Sequence, residues 1–363
     1  MAGHLREGAA VFQASQGPVR KDMGVFYNPV SAFNRSITVV LLNSLPANQL
    51  RIGLPMEATG VRGIRILKEV KKELVAEFND ISPQAAAAIR ANLKLNKLKA
   101  GVSNMDASQF LLGSKGFDFI DVDPFGSPVP FLDAAVKRLS RGGVLGVTAT
   151  DTAPLAGTYP NACLRKYWAV PLRNSFMHET AVRILIRKVQ LIGSQYDRCL
   201  TPIFSYYKDH YYRLFLRCEK SKSRTDALLK QHGWVLSCSK CLARFHSKDL
   251  LQTKCLVCGA RCEIAGPLWL GRLWELGLVK EMLKNCDDDT RPFIETVLSE
   301  ARVSAIGFTT MGELGSRLRL GTIPKRGELI ERLKAQGFRA SQTHFSPEGI
   351  AVSGNPNWKQ LIC

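Results

Sequence analysis

Residues 117–128 have the sequence FDFIDVDPFGSP, in which an alternating apolar run leads directly into Asp123, Pro124 and Phe125. The alternation predicts a β-strand that ends at the aspartate. Such an ending brings a carboxylate, a backbone carbonyl and a flat aromatic ring to one point. Two acceptors can hold the hydrogens of an exocyclic amine on a nucleobase and so localise its delocalised lone pair. A βα turn in which Asp123 caps the following helix explains the same residues without chemistry, so the motif alone leaves both interpretations open.

Strand and helix patterns alternate around this motif, from residue 50 to residue 151. The alternation predicts a parallel sheet with helices on its faces, that is, a Rossmann-like α/β fold. Ligands of such sheets bind beyond the carboxyl ends of the strands. The predicted strand ends are the turn EATGVRG at 57–63, Asn79-Asp80, Asp106-Ala107 and Asp123-Pro124-Phe125. An acidic residue after the second strand also suits NAD, but a dehydrogenase does not need the Asp-Pro-Phe-Gly sequence.

The segments next to this predicted sheet carry weaker signals. Residues 1–30 are rich in turn formers and predict an extended arm, and residues 30–45 predict a helix. On that helix, the pattern alone makes Arg35 a solvated arginine. Two strand-like runs at 200–207 and 211–218 predict an antiparallel hairpin that closes the sheet.

Beyond a charged segment at 219–224, which predicts a linker, two Cys-x-x-Cys pairs indicate a metal centre. The expected ligands are Cys238, Cys241, Cys255 and Cys258. Four thiolates at this spacing are typical of a closed, structural zinc site. Cys262, His232 and His246 are interpreted as spectators. Residues 266–283, which include Trp269 and Trp274, have a helical apolar pattern and are expected in the core. We expect an N-terminal arm and helix at 1–49, a Rossmann-like domain at 50–220 and a zinc-containing α/β domain at 221–363.

The composition indicates a polyanionic partner. The 363 residues include 50 Lys and Arg against 31 Asp and Glu, for a formal charge of +19. Between residues 159 and 224, basic side chains outnumber acidic ones thirteen to four and alternate with tyrosines and tryptophan. This mixture suits a nucleic-acid surface, although a hairpin core would also use the aromatics. No secretory signal or membrane-spanning run is visible, so we expect a cytoplasmic protein. We also expect a monomer.

Several motifs together resemble one family, the tRNA (guanine(26)-N2)-dimethyltransferases known as Trm1, in their archaeal form. The motifs are FYNP at 26–29, Asn34-Arg35, ATGVRGIR at 58–65, NDIS at 79–82, DPFGSP at 123–128, TDTAPL at 150–155 and GPLW at 266–269. The similarity covers nearly the whole chain. It implies a class I S-adenosylmethionine-dependent methyltransferase fold, a C-terminal tRNA-binding domain and a structural zinc ion.

The resemblance also implies roles for individual residues. Those expected to bind S-adenosylmethionine are Arg35, Arg62, Asp80, Asp106 and Ala107. Asp123 is the expected catalytic residue, with the Pro124 carbonyl as the second acceptor. Phe26 and Phe125 are expected to form the walls of the guanine slot. Arg62 is preferred over Arg65 as the motif's cofactor ligand.

The predicted function is therefore methyl transfer to the exocyclic N2 of guanine 26 in tRNA, with N2-methyl- and N2,N2-dimethylguanosine as products. Two alternatives remain at this point. An amino-methyltransferase acting on DNA or on a protein glutamine also uses a strand that ends in Asp/Asn-Pro-Pro-aromatic, whereas here Phe125 follows Pro124 directly. A non-catalytic tRNA-binding protein with a decayed sheet would not need acceptors at three successive strand ends.

Overall fold

The computed structural model describes residues 4–14, 25, 27–250, 252–318 and 323–362. Near the N-terminus, β1 (Leu5–Glu7) and β2 (Ala10–Phe12) form an antiparallel hairpin. The side chains of Asn92 and Asn96 hydrogen-bond to the backbone of this segment at Gln13 and Val11. The extended arm predicted at the N-terminus thus contains a docked hairpin, and its residues 15–24 lie outside the described part of the chain.

Strands and helices then alternate as the sequence pattern predicted. The elements are α1 (Ala32–Ser44), β3 (Gln49–Leu54), α2 (Val61–Glu69), β4 (Glu73–Asn79), α3 (Pro83–Leu95), β5 (Gly101–Ser103), α4 (Ala107–Gly113), β6 (Phe117–Val122), α5 (Leu132–Arg138), β7 (Leu139–Ala149), α6 (Thr152–Leu155), α7 (Pro160–Tyr167), α8 (Met177–Ser194), β8 (Arg198–Lys208) and β9 (Tyr211–Lys220). Single 3-10 turns at Pro29–Ser31 and Val129–Phe131 precede α1 and α5.

Seven of these strands form one sheet in the order β5-β4-β3-β6-β7-β9-β8. The pairs from β5 to β7 are parallel, and β9 pairs antiparallel with both β7 and β8. The chain turns outward in opposite directions from β3 and from β6, so a crevice opens between their carboxyl ends. The hairpin predicted to close the sheet is confirmed as β8 and β9.

Close packing of α2 on the sheet depends on Gly63 in the ATGVRGIR motif. A Cβ atom at this position would lie 2.2 Å from the ring of Phe78 and 2.5 Å from Leu54. Only a residue without a side chain allows the helix to approach this closely. The helix N-terminus is therefore held next to the end of β3, at the mouth of the crevice.

The remaining elements form two further small sheets with helices. They are α9 (Lys222–Leu229), β10 (His232–Ser237), β11 (Arg244–Ser247), β12 (Glu263–Trp269), α10 (Leu276–Asn285), α11 (Arg291–Val303), β13 (Phe308–Thr310), α12 (Met311–Leu318), α13 (Arg326–Ala335), β14 (Ala340–Thr343), β15 (Ser346–Val352) and α14 (Trp358–Ile362). The sheet orders are β11-β10-β12 and β13-β15-β14. The predicted linker at 219–224 contains the end of β9 and the start of α9.

One prediction for this part of the chain was wrong. Residues 266–283 were interpreted as a helical apolar run, but Trp269 lies at the end of β12 and α10 begins only at Leu276. Pairing with β10 places Trp269 opposite His232, and Gly266, Pro267 and Gly271 are poor helix formers. Tertiary pairing thus overrides the helical apolar pattern of this run.

The main hydrophobic core extends beyond the seven-stranded sheet. Buried side chains of β10, β12, α10 and α11, among them Val235, Leu268, Val279 and Ile294, belong to the same contiguous cluster as Ile52 of β3. A smaller cluster lies between α12, α13, α14 and β15. Within the described ranges, no helix is long and apolar enough to cross a membrane.

Candidate active site and candidate metal centre

A cavity of about 760 Å³ lies at the carboxyl edge of the sheet. Its walls come from the ends of β3, β4, β6 and β7, from the region of α1 and from the turn between β8 and β9. The predicted site residues that line it are Arg35, Arg62, Asp80, Asp106, Ala107, Asp123, Pro124 and Phe125. Phe26 lies outside the described residues. A cavity of this size is sufficient for a nucleoside-sized cofactor with room beside it.

The segment after β6 presents its acceptors to this cavity. Asp123 is partly buried at the cavity wall, and the Phe125 side chain is 51% exposed. Gly126 adopts a positive φ of 82°, which turns the chain sharply after the phenylalanine. Its N–H donates to Thr150 Oγ1 at 2.7 Å, and the Thr150 N–H donates to the Gly126 carbonyl at 3.0 Å. The end of β7 thus fixes the position of the loop.

A row of side chains with alternating charges extends from Asp123 into the buried interior. Arg62 forms an ion pair with Asp123 and places Nη1 3.1 Å from Asp121 Oδ2. Arg213 of β9 holds the other side of Asp121 through two hydrogen bonds of 2.6 and 2.8 Å. Burial alone would raise the pKa of Asp121, but the two guanidinium groups outweigh it and hold that pKa below its ordinary value. The order Asp123, Arg62, Asp121, Arg213 therefore leaves each buried charge with an opposite neighbour.

Glu57, at the end of β3, is the exception among these carboxyl groups. Its Oε2 accepts a hydrogen bond of 3.1 Å from the Gly63 N–H. Burial raises the pKa of Glu57 to about 8, against the opposing effect of Arg62 and of this hydrogen bond. Strongly shifted pKa values of buried groups beside a cavity are typical of functional sites.

Two further carboxylates are fixed by backbone hydrogen bonds. Asp80 accepts from the Ala58 N–H at 2.8 Å and from the Ser82 N–H at 2.9 Å, and so connects the ends of β3 and β4. Asp106 caps α4 through Oδ1, which accepts from the Ser108 N–H at 2.8 Å and from the Gln109 N–H at 3.1 Å. Both side chains are held in place at the cavity wall with acceptor capacity to spare.

Arg35 has more partners than its sequence context suggested. Its guanidinium forms an ion pair with Glu7 of the N-terminal hairpin and donates to the Asn28 carbonyl at 3.0 Å. Arg65 binds the same glutamate at 3.0 Å and also Glu69, and it does not line the cavity. The interpretation of Arg35 as a solvated side chain was wrong, because the docked hairpin buries it.

Sequence reasoning did not single out Asp121, Arg213 or Glu57. Asp121 and Asp123 stand two positions apart on a strand, so their shared face was a usable signal. An arginine within the apolar run of β9 was another, since a buried guanidinium requires a partner. The pairing itself joins residues 92 positions apart and was not visible from either segment alone.

The four predicted zinc ligands come together. Their Sγ atoms all lie within 4.8 Å of one another. The Cys238–Cys258 and Cys241–Cys255 sulfur pairs are 3.5 and 3.4 Å apart. Tetrahedral zinc with Zn–S bonds of about 2.3 Å places its sulfurs about 3.8 Å apart, so the thiolates fit this ion. Cys262 lies in the same small cluster but is not part of the four-sulfur group, which agrees with its interpretation as a spectator.

A sheet of this order, with fixed carboxylates at successive strand ends around one cavity, defines a class I S-adenosylmethionine-dependent methyltransferase fold. The sequence matches the family model described as N2,N2-dimethylguanosine tRNA methyltransferase over residues 7–362. The chain belongs to this family.

Relatives and solved structures agree with the assignment. The tRNA (guanine(26)-N(2)/guanine(27)-N(2))-dimethyltransferase of Aquifex aeolicus is 36% identical over 96% of this chain and 92% of its own length. The tRNA (guanine(26)-N(2))-dimethyltransferase of Pyrococcus furiosus is 37% identical over 96% and 95%. The solved complex of Trm1 from Pyrococcus horikoshii with S-adenosyl-L-methionine superposes with a TM-score of 0.87, at 34% identity and 99% coverage of both chains.

Proposed function

We propose that this chain transfers methyl groups from S-adenosylmethionine to the exocyclic N2 of guanine 26 in tRNA. The observation that carries the proposal is the placement of Asp123 and Pro124 in the wall of the same cavity as Asp80 and Asp106. This arrangement puts the acceptors for an amine within one cavity that also presents acceptors for a nucleoside. Family membership supplies the substrate class, and the relatives supply the position in the tRNA.

The cofactor-side roles follow from the fixed carboxylates. Asp80 is proposed to accept hydrogen bonds from the ribose hydroxyls, and Asp106 from the adenine amine beside Ala107. Arg35 is proposed to pair with the methionine carboxylate, which requires it to share its guanidinium with Glu7. Arg62 lines the same wall and also holds Asp123, so it connects the cofactor side to the acceptor side.

On the substrate side, we propose that the guanine leaves its stack and enters the cavity beside Phe125. The Asp123 carboxylate and the Pro124 carbonyl accept hydrogen bonds from the 2-amino group and direct its lone pair away from the ring. S-adenosylmethionine supplies an electrophilic methyl group when bound. The amine nitrogen would gain the methyl group as the methyl–sulfur bond breaks and S-adenosylhomocysteine is released, and Asp123 is placed to accept the proton that the amine loses. The residues thus orient and desolvate the reactants.

A second methylation requires that the monomethylated guanine be bound again with a fresh cofactor. The slot must then have room for one methyl group on the amine, and the Phe125 side chain beside it is half exposed. The family description specifies the N2,N2-dimethylated nucleoside. We therefore expect the dimethylated product to accumulate at long incubation, with the monomethylated nucleoside as an intermediate.

The decisive test uses labelled S-adenosylmethionine with separate pools of tRNA, DNA and protein. Label should enter tRNA only, and a transcript with adenine in place of guanine 26 should lose it. Label in the DNA or protein pool would instead support the alternative amino-methyltransferases. Absence of cofactor binding in calorimetry would support the non-catalytic alternative.

The cellular location and the oligomeric state of the enzyme are also proposals. Free tRNA is a cytoplasmic substrate, and we propose a cytoplasmic enzyme that acts as a monomer. Sedimentation at micromolar concentration should give the mass of one 40.2 kDa chain. A dimeric species would contradict the second part.

A further inference from the structure

The helix α7 lies on the substrate side of the sheet, in the segment that leaves the carboxyl end of β7. It has eight residues and buries Cys163 and Tyr167. The Tyr167 hydroxyl lies 2.6 Å from Asp151 Oδ1 and 2.9 Å from Ser127 Oγ. Ser127 follows the Phe125-Gly126 turn directly. The inner side of α7 is therefore attached to the loop that forms the cavity wall.

The outer side of α7 and the residues around it expose large apolar groups. Tyr159, Leu164, Trp168 and Val170 are 61%, 54%, 50% and 43% exposed. Leu164 and Trp168 stand four positions apart, on the same side of the helix and its cap. All four lie within twelve positions of the chain and expose apolar surface to water, which disfavours it. We call them, with Arg165 between them, the α7 surface.

Trp168 has one face that is already occupied. The Nζ atom of buried Lys188 lies 2.9 Å from the centroid of its ring, and Arg187 donates to its carbonyl at 3.2 Å. A cation on one face holds the indole ring in place and leaves the exposed part turned to solvent. Trp168 is thus a supported aromatic ring at the surface rather than a freely rotating side chain.

The charges around this patch favour a nucleic acid over a protein. Arg165, Lys166 and Arg173 are exposed on or beside α7. Among the described residues, Lys166 alone of the three has an acidic partner, Asp151 at 3.1 Å. A second copy of a chain with a formal charge of +19 would be repelled here. Nucleobases have flat apolar faces next to phosphates, which match exposed aromatic rings next to arginines.

We propose that Tyr159 and Trp168 stack on tRNA bases that flank the methylated guanine, with Arg165 on the adjoining phosphates. The inference rests on the proposed function, since it concerns the same tRNA. When a guanine leaves its stack, its neighbours lose a stacking partner. The α7 surface, attached through Tyr167 to the cavity wall, replaces that partner and holds the flanking nucleotides near the cavity.

The test compares variants of this surface with matched variants elsewhere. Tyr159→Ala removes a ring and Arg165→Glu reverses a charge, both at exposed side chains. Trp168→Ala is paired with Trp168→Phe, because the phenylalanine still covers Lys188 and should restore tRNA binding. The controls are Val75→Ala on β4, which is 63% exposed, and Lys94→Glu on α3, which is also exposed.

For Tyr159→Ala and Trp168→Ala we expect KM for tRNA to rise about 10-fold, with kcat at saturating tRNA retained. Both controls should stay within about 2-fold of the wild type, and calorimetry should give the same affinity for S-adenosylmethionine throughout. Unchanged KM in the α7 variants would overturn the inference. So would variants that change only the sedimentation coefficient, since the surface would then bind a second copy. Wild-type transfer to tRNA in the same assay shows separately that the proposed function holds.

Discussion

Asp121 contributes no atom to the cavity lining, yet the position of Asp123 depends on it. Its two oxygens are shared between Arg213 and Arg62, and Arg62 in turn pairs with Asp123. All the members except Asp123 are buried almost completely. Such a chain keeps the acceptor carboxylate from rotating out of the cavity, because each guanidinium is fixed on its other side.

Loss of Arg213 should therefore be costly. Arg213→Met leaves Asp121 without its bidentate partner in a fully buried site, and we expect the free energy of unfolding to fall by about 3–5 kcal/mol. The control is Arg224→Met, which breaks an exposed pair with Glu219 and should cost no more than about 1 kcal/mol. Urea denaturation measures both. Equal losses in the two variants would show that the buried chain has no special role.

The partly buried His178 side chain makes the stability of the protein depend on pH. His178 stacks on Tyr207 with ring centroids 3.7 Å apart, and burial lowers its pKa to about 4. An unfolded histidine titrates near 6.5, so between pH 6.5 and 4 the unfolded chain binds a proton that the folded chain does not. Stability should fall as the pH falls through this window. His178→Gln should show a shallower fall in thermal denaturation, and an unchanged slope would contradict the assignment.

The sequence was a better guide to the cavity residues at the strand ends than to the buried side chains that hold them in place. Asp80 and Asp123 directly follow β4 and β6, Asp106 follows β5 after two residues, and parallel strands bring such ends together. Arg213 lies in the middle of a strand, and its partner could not be known before the order β6-β7-β9 was known. The pattern alone gave Arg35 as a solvated side chain for a similar reason. Glu7 reaches it from a hairpin that the turn-rich sequence did not reveal.

At the scale of elements, the zinc centre holds the loops of the β10-β11-β12 sheet. Cys238 and Cys241 follow β10, and Cys255 and Cys258 stand in the long connection between β11 and β12. This connection contains little regular structure among its described residues. A metal bound by all four sulfurs would link it to the segment after β10. Metal binding and folding of this segment should therefore be coupled.

Zinc content provides a matched comparison between cysteines. The purified protein should contain one zinc ion per chain, and Cys241→Ser should lose most of it together with several degrees of thermal stability. Cys262→Ser should keep the metal, because Cys262 is buried in the same small cluster but outside the four-sulfur group. Elemental analysis by mass spectrometry measures both variants. Full zinc occupancy in Cys241→Ser would contradict the assignment of ligands.

Element types were predictable wherever one periodic pattern dominated, as in β3 to β7 and in the helices between them. The interpretation failed at β12, where the apolar run from residue 266 fits a helical pattern but Trp269 pairs across a strand with His232. Short apolar runs of this kind fit a strand and a helix equally well, and only the partner strand decides between them.

At the scale of the whole molecule, a shared core connects the cavity to the C-terminal elements. Helix α10 packs against α1, and β12 packs against α8. The backbone of Val170, which belongs to the α7 surface, pairs with Gly266 of β12. The domain boundary after residue 220 remains a prediction. The contacts across it hold the cavity and the C-terminal elements at a fixed spacing. A fixed spacing allows one folded tRNA to be positioned by contacts far from its target guanine.

The most direct measurement of the central claim is nucleoside analysis by mass spectrometry of tRNA treated with the wild-type enzyme and with Asp123→Asn. The wild type should yield N2,N2-dimethylguanosine at position 26. The variant should give at least about 100-fold less methylated guanosine, while calorimetry shows unchanged affinity for S-adenosylmethionine. A variant that methylates tRNA at the wild-type rate would contradict the role of Asp123, and with it the account of how β6 presents an amine to the cofactor.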